Sequence, residues 1–247
     1  MSDPARISEI FSSIQGEGYL AGRRQIFIRL NECNLDCRYC DTEYEKGADC
    51  RVETAPGSGV LSALPQPLDV RGLVTLVEDW HGRLPGAHHS ISVTGGEPLL
   101  WAETLKEWLP ELRRILPIHL ETNGTLADEL GKVIDSTDHI SMDMKLPSTA
   151  GRALWEEHRC FLEIAVQRQV SVKVVIGQET SPDEISRVCA IMAAVERTTP
   201  LFLQPLSSPE GGVAVTAERI LRLQEIAAAL LPDVRVIPQM HKMLGAL

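Results

Sequence analysis

The chain has 247 residues, of which 44% are hydrophobic, and this composition and length suit one large globular domain. Its 24 Lys and Arg against 34 Asp and Glu give a formal net charge of −10, which disfavours nucleic acid as a bound partner because phosphate-binding surfaces are normally basic. The longest apolar run, EIAAALL from Glu225, is too short for a membrane span, and the first residues do not resemble a secretory signal. We therefore expect a cytoplasmic location and no membrane partner.

The first predicted strand, QIFIRL at 25–30, leads into a segment with three closely spaced cysteines, Cys33, Cys37 and Cys40. A disulfide uses two cysteines and is disfavoured in a reducing compartment. A structural zinc site needs a fourth Cys or His at matching distance, and Cys50 has no C-x-x-C partner. The spacing favours a [4Fe–4S] cluster held by three thiolates, with the fourth iron open to a ligand that is not protein. A single zinc ion is the alternative.

The next segment, at 48–68, is rich in Pro, Gly and Ser. It predicts a loop or lid inserted into an otherwise single domain that spans 1–247.

Helical apolar spacing follows at 73–80, 185–192 and 220–227, and the second of these has an N-cap Ser and a first-turn Pro in SPDE at 181–184. Pro110 predicts a break in the segment between Glu103 and Leu116. Cys160 and Cys189 lie within helical apolar patterns, so we expect both thiols in the core.

Apolar strand-like runs alternate with these helical segments. They lie at 25–30, 90–95, 117–123, 139–145, 170–177, 200–206 and 234–239. Strands that alternate with helices predict parallel βα units. The predicted fold class is α/β, a single-domain, incomplete and open TIM-like barrel with about six to seven strands.

Polar residues cluster where these strands end, in TGGEP, ETNG, DMK, QPLS and PQMHK. Chain termination of strands explains the glycines, but not Glu97, Glu121, Asp143, Lys145 and Gln204 at the same edge. The carboxyl ends of parallel barrel strands hold the active site. We therefore expect the active site at this edge.

The cysteine spacing, Tyr39 before the third cysteine, and TGGEP at 94–98 together resemble the radical S-adenosylmethionine superfamily. The resemblance implies a [4Fe–4S] cluster on Cys33, Cys37 and Cys40, and S-adenosylmethionine on its open iron. The residues that it implies for binding S-adenosylmethionine are Tyr39, Cys40, Asp41, Gly95, Gly96, Ser141, Asp143, Lys145 and Gln204.

Further motifs narrow the resemblance to the 7-carboxy-7-deazaguanine synthase family, from Ile10 to about Gly245. They are S-x-Q-G-E-G at 13–18, Arg29 on the first predicted strand, CDT at 40–42, SMDMKLPS at 141–148 and QPLS at 204–207. The resemblance implies a carbon–nitrogen lyase of queuosine or 7-deazapurine biosynthesis. Such an enzyme contracts 6-carboxy-5,6,7,8-tetrahydropterin to 7-carboxy-7-deazaguanine with loss of ammonia.

The same resemblance implies the other partners. The substrate-binding residues are Ile14, Gln15, Gly16, Arg29, Thr94 and His241, and Thr42 contacts Mg²⁺. Asn123, Glu121 and Lys242 are further candidates. A homodimer and an external one-electron reductant of the flavodoxin or ferredoxin type are also implied.

Residue chemistry gives these assignments both support and alternatives. Arg29 offers a bidentate fork for a carboxylate. Gly16 and Gly18 also suit a plain tight turn, and Thr42 also suits a helix N-cap. Aromatic residues make up only 4% of the chain, so few rings are expected beside a pterin.

Two other functions share part of the pattern. A glycyl-radical-activating enzyme has the same cysteine spacing and TGGEP but acts on a protein, and S-x-Q-G-E-G with CDT argues against it. A structural metal-binding module is the second alternative.

Overall fold

The computed structural model describes residues 5–40, 49–66, 68–208 and 210–246. Ten strands in these ranges form one sheet, in the order β10-β9-β8-β7-β6-β5-β2-β1-β3-β4. The strands are β1 (Ile7–Ile14), β2 (Arg24–Leu30), β3 (Asp49–Glu53), β4 (Leu61–Pro65), β5 (Ser90–Gly95), β6 (Ile118–Thr122), β7 (His139–Asp143), β8 (Gln169–Ile176), β9 (Leu201–Pro205) and β10 (Val234–Val236).

Eight α-helices occur in the same ranges, mostly between consecutive strands. They are α1 (Val70–Arg83), α2 (Ala102–Arg113), α3 (Ala127–Val133), α4 (Pro147–Ala150), α5 (Trp155–Ala165), α6 (Pro182–Val195), α7 (Ala217–Ala228) and α8 (Met240–Leu244). Short 3₁₀ turns at Pro98–Trp101 and Ile134–Ser136 complete the elements described. No helix among these residues is long and apolar enough to cross a bilayer.

Seven strands, β2 and β5 to β10, run parallel and coincide with the seven strands that the sequence predicts. They are nearly continuous in buried residues because helices cover one face and the strands enclose the other. The two outermost strands, β10 and β4, do not pair with each other, so the described sheet is open. The predicted fold class, an incomplete barrel of parallel βα units, is confirmed.

The segment predicted as a loop or lid is different in the structure. Within the described residues 49–66, β3 and β4 form an antiparallel hairpin, and β3 extends the sheet in parallel with β1. The Pro and Gly residues occupy the turn, where the Glu53 carboxylate accepts hydrogen bonds from the backbone of Gly57 (2.9 Å) and Gly59 (2.6 Å). The prediction was wrong because β4 is largely exposed and has no apolar alternation to mark it as a strand.

The predicted break at Pro110 is also wrong, since α2 continues through it to Arg113. Pro110 removes one backbone donor from the last turns of the helix. Leu105, Trp108, Leu109 and Leu112 are buried on the same helix, and their packing offsets that loss.

The two isolated cysteines differ. Cys189 on α6 is fully buried, as predicted. Cys160 on α5 is only partly buried, and its thiol donates to the Glu156 carboxylate on the same helix, so its assignment to the core was wrong. The start of α6 is as expected, because Ser181 and Glu184 form a reciprocal capping box.

Candidate active site

A cavity of about 760 Å³ opens at the carboxyl ends of the parallel strands, within the size range of small-molecule sites. Every site residue that the sequence predicts within the described ranges lines it: Ile14, Gln15, Gly16, Arg29, Cys33, Cys37, Tyr39, Cys40, Thr94, Gly95, Gly96, Ser141, Asp143, Lys145, Gln204 and His241. Glu121, Asn123 and Lys242 line it as well. Asp41 and Thr42 lie outside the described residues.

The three cysteines follow β2 on a loop at one wall of this cavity. The sulfur of Cys33 accepts from the backbone N–H of Leu35 at 3.4 Å and from the Asn123 amide at 3.9 Å. The Cys40 N–H donates to the Cys37 carbonyl at 3.0 Å. Burial raises the pKa of the Cys37 thiol, while the nearby Lys145 ammonium opposes that shift.

This arrangement suits a cluster better than a single ion. No three His, Cys, Asp or Glu side chains among the described residues are grouped closely enough to hold one metal ion. Tetrahedral zinc would require sulfur atoms about 4 Å apart. In a cubane each thiolate binds a different iron, so the sulfurs stand farther apart. The three thiols that share a cavity wall therefore fit a [4Fe–4S] cluster.

The TGGEP turn at the end of β5 packs directly on the start of the cysteine loop. Gly95 has a φ of 138°, and a Cβ there would lie 2.1 Å from the Leu30 carbonyl oxygen. The next N–H groups, of Gly96 and Glu97, donate to the carbonyls of Leu30 (3.2 Å) and Glu32 (2.8 Å). Only glycine at position 95 permits this close contact.

Glu97 does not line the cavity and holds strand ends together instead. Its buried carboxylate accepts from the Leu99 N–H (3.0 Å), the Thr122 hydroxyl (2.8 Å) and the Asn123 N–H (2.7 Å). Burial raises the pKa of this carboxyl to about 7, although the hydrogen bonds oppose the shift. Glu97 thus joins the TGGEP turn to the end of β6.

Four buried charges form an alternating network on the β7–β8 side. The Lys145 ammonium contacts the Tyr39 hydroxyl and the Asp143 carboxylate, both at 2.9 Å, and Lys173 contacts Asp143 at 3.1 Å and also Glu17. Burial favours protonation of Asp143, but the two ammonium groups outweigh it and lower its pKa to about 2. The other Asp143 oxygen, Oδ1, is buried without a hydrogen bond from the described residues, so it can accept from a ligand N–H or O–H.

The Q-G-E-G turn connects this network to the C-terminal segment. Gln204 and Gln239 donate to Glu17 at 3.1 Å and 2.7 Å. The Met240 N–H donates to the Gly16 carbonyl at 3.0 Å, and a Cβ on Gly16 would lie 2.0 Å from the His241 ring. His241 thereby reaches the cavity wall.

Gln15 is buried, and its amide bonds within the protein. It donates to Gln25 at 3.0 Å and to Glu121 at 3.1 Å, and its oxygen accepts from the Glu17 N–H at 3.0 Å. Burial raises the pKa of Glu121, so this carboxyl at the cavity wall takes up a proton more readily than a solvated one. Gln15 positions Glu121 and Glu17 beside the cavity.

Two aromatic rings line the opposite side. Phe11 on β1 and Phe27 on β2 stack with centroids 5.0 Å apart and planes at 5°. The Arg29 guanidinium lies 5.4 Å from the Phe11 ring centre and pairs with Glu9 at 3.2 Å. The sequence reasoning missed Phe11, Phe27 and Glu9 because it did not predict β1, although their alternation along ISEIFSSI was a usable signal.

Comparison with known proteins decides the family. The model of the radical SAM superfamily matches residues 27–176. A 7-carboxy-7-deazaguanine synthase of Geobacter sulfurreducens is 47% identical over 250 residues, which cover 100% of both chains. The chain belongs to the 7-carboxy-7-deazaguanine synthase family of the radical SAM superfamily.

More distant relatives extend the likeness. A 7-carboxy-7-deazaguanine synthase of Methanothermobacter thermautotrophicus is 36% identical, covering 98% of this chain and 97% of its own. The crystal structure of QueE from Escherichia coli, 19% identical, has a TM-score of 0.57 and covers 97% of this chain and 96% of its own. At that identity the structural likeness shows the fold.

Membership of the radical SAM superfamily implies a [4Fe–4S] cluster and S-adenosylmethionine. The residues present fit both, since three thiols share one wall and Asp143 presents a free buried acceptor at the same cavity. The relatives do not favour the two alternatives, a glycyl-radical-activating enzyme and a structural module.

Proposed function

We propose that this chain is a 7-carboxy-7-deazaguanine synthase, which converts 6-carboxy-5,6,7,8-tetrahydropterin to 7-carboxy-7-deazaguanine and ammonia in queuosine or 7-deazapurine biosynthesis. The observation that carries the proposal is that one cavity is lined by the three cysteines, the TGGEP glycines and Arg29. The full-length relatives with this name support it.

The bound cluster and S-adenosylmethionine supply one-electron chemistry that removes a hydrogen atom from the substrate. The residues of this chain position the reactants. Gly95 and Gly96 leave the backbone open to a ligand, and Tyr39, Asp143 and Lys145 give that wall fixed donors and acceptors. Because Lys145 and Asp143 are already paired and buried, they need little rearrangement when a ligand binds.

The other side of the cavity suits a flat heterocycle with a carboxylate. Phe11 and Phe27 provide an apolar wall, and Arg29 provides the cation. Glu121, whose pKa is raised by burial, and Thr94 offer polar groups to the ring edge. Tight walls on both sides exclude water from a reaction that water would interrupt.

The remaining partners are also proposals. Mg²⁺ bound through Thr42, substrate oxygens and waters would orient the carboxylate, in keeping with the preference of this ion for few protein ligands. A flavodoxin- or ferredoxin-type reductant, a homodimer and a cytoplasmic location follow from the resemblance in sequence.

The test is anaerobic reconstitution with iron and sulfide, followed by incubation with S-adenosylmethionine, dithionite, Mg²⁺ and 6-carboxytetrahydropterin. We expect mass spectrometry to detect 7-carboxy-7-deazaguanine without any partner protein. Cys37→Ala is the control and should give neither cofactor cleavage nor product. Cofactor cleavage by the wild type with no new deazapurine would contradict the proposed substrate.

A further inference from the structure

A row of four polar side chains crosses adjacent strands at the cavity wall. The strand register pairs Glu9 on β1 with Arg29 on β2 on one side and with Arg51 on β3 on the other, and pairs Arg29 with Thr94 on β5. All four residues line the cavity. Arg29 and Thr94 are already assigned to the substrate, so Arg51 and Glu9 extend the same row.

The row is held together by ion pairs. The Glu9 carboxylate uses one oxygen for the Arg29 guanidinium, at 3.2 Å, and the other for the Arg51 guanidinium. The three side chains are 18%, 26% and 40% exposed for Glu9, Arg29 and Arg51, so they face the cavity rather than open solvent. Cross-strand neighbours of opposite charge stabilise each other in this geometry.

The charge count shows why a second arginine matters. Arg29 and Glu9 alone form a neutral pair, which offers little attraction to an anionic substrate. Arg51 gives the group of three a formal charge of +1, and Glu9 spaces the two guanidinium groups on either side of itself. The nearby Lys145 and Lys173 are engaged with Asp143 and Glu17.

We propose that Arg51 and Arg29 together bind the substrate carboxylate, and that Glu9 positions both guanidinium groups while competing with the substrate for them. The inference rests on the proposed function and deepens it. Arg51 is supplied by the β3–β4 hairpin, so this hairpin determines selectivity for a carboxylated over an uncharged pterin.

Opposite effects are expected from the two members that no resemblance assigns. Arg51→Gln removes a charge-assisted hydrogen bond and should raise the Kd for 6-carboxytetrahydropterin about 10- to 100-fold. Glu9→Gln removes the internal competitor and should lower that Kd several-fold. Loss of local structure would weaken binding in both variants, so the difference in sign separates a binding role from a structural one.

The experiment is an anaerobic titration of the reconstituted protein with S-adenosylmethionine bound. Each variant is titrated with 6-carboxytetrahydropterin and with tetrahydropterin, which has the same ring without the carboxylate. Arg51→Lys keeps the charge and should recover part of the affinity. Arg235→Gln is the matched control, since Arg235 is also a strand arginine paired with a carboxylate but does not line the cavity.

The inference is supported if Arg51→Gln weakens only the carboxylated ligand and Glu9→Gln strengthens it. It is overturned if Arg51→Gln binds the two ligands as the wild type does, if it weakens both equally, or if Glu9→Gln also weakens the carboxylated ligand. If the wild type neither binds nor converts 6-carboxytetrahydropterin, the proposed function fails and the inference with it. If the wild type converts it and the variants show no selectivity, only the inference fails.

Discussion

Replacing Gly95 by alanine should damage the site through sterics alone. A Cβ at this position would meet three backbone atoms of Leu30, its oxygen at 2.1 Å, its nitrogen at 2.6 Å and its carbonyl carbon at 2.8 Å. Because backbone atoms cannot swing aside as a side chain would, the turn must move away from the start of the cysteine loop. The φ of 138° adds a further cost for any residue with a Cβ.

The magnitude is the sum of two costs. The unfavourable backbone conformation costs about 1–3 kcal/mol, and overpacking against a fixed backbone costs about another 1–3 kcal/mol. Together they reduce the free energy of unfolding by about 2–6 kcal/mol, which for a chain of this size lowers Tm by roughly 5–20 °C. The displaced turn should also lower S-adenosylmethionine affinity.

Thermal unfolding and S-adenosylmethionine binding of the reconstituted protein are the assays. Gly131→Ala is the matched control, because Gly131 lies in α3 with nothing within 4 Å of its added Cβ. That variant should be more stable by up to about 1 kcal/mol, since alanine favours a helix. A Gly95→Ala protein with the Tm and cofactor affinity of the wild type would refute the steric reasoning.

Three further predictions concern buried or cavity-lining polar groups. Burial lowers the pKa of His119 from 6.5 to about 3, so its neutral form is needed for folding, and the stability it permits above pH 6.5 is lost as the pH falls. His119→Asn should therefore lose about 2 kcal/mol less than the wild type between pH 7.5 and pH 5 in urea unfolding, and an equal loss would contradict this. Glu97→Gln places amide hydrogens against donors and should cost about 1–3 kcal/mol in the same assay; an unchanged midpoint would show that the carboxylate is not needed. Arg29→Ala should still cleave S-adenosylmethionine but yield no deazapurine by mass spectrometry, and normal product formation would remove Arg29 from the site.

The sequence predicted the parallel part of the fold because that part follows from burial. The runs at 139–145 and 170–177 are apolar on both faces and end in charged residues, which locates both the strands and their catalytic ends. The hairpin β3–β4 was missed because its strands are stabilised by backbone pairing at a sheet edge and leave most side chains exposed.

The site was predictable where a motif fixes the chemistry, as with Cys33 and Gly95. Residues that join the cavity through strand pairing were not predictable in this way. Glu9 and Arg51 are 42 positions apart, and only the register of β1 with β3 makes them neighbours. Lys173 meets Glu17 across a still longer separation, and a lone lysine on an apolar strand gives no local signal of that contact.

The most direct test of the site is electron paramagnetic resonance of the anaerobically reconstituted, dithionite-reduced protein before and after S-adenosylmethionine is added. Ligation by Cys33, Cys37 and Cys40 alone leaves one iron for the cofactor, so the spectrum of the reduced cluster should change on addition. An unchanged spectrum, with the fourth iron held by a protein side chain, would contradict both the three-thiolate site and the function built on it.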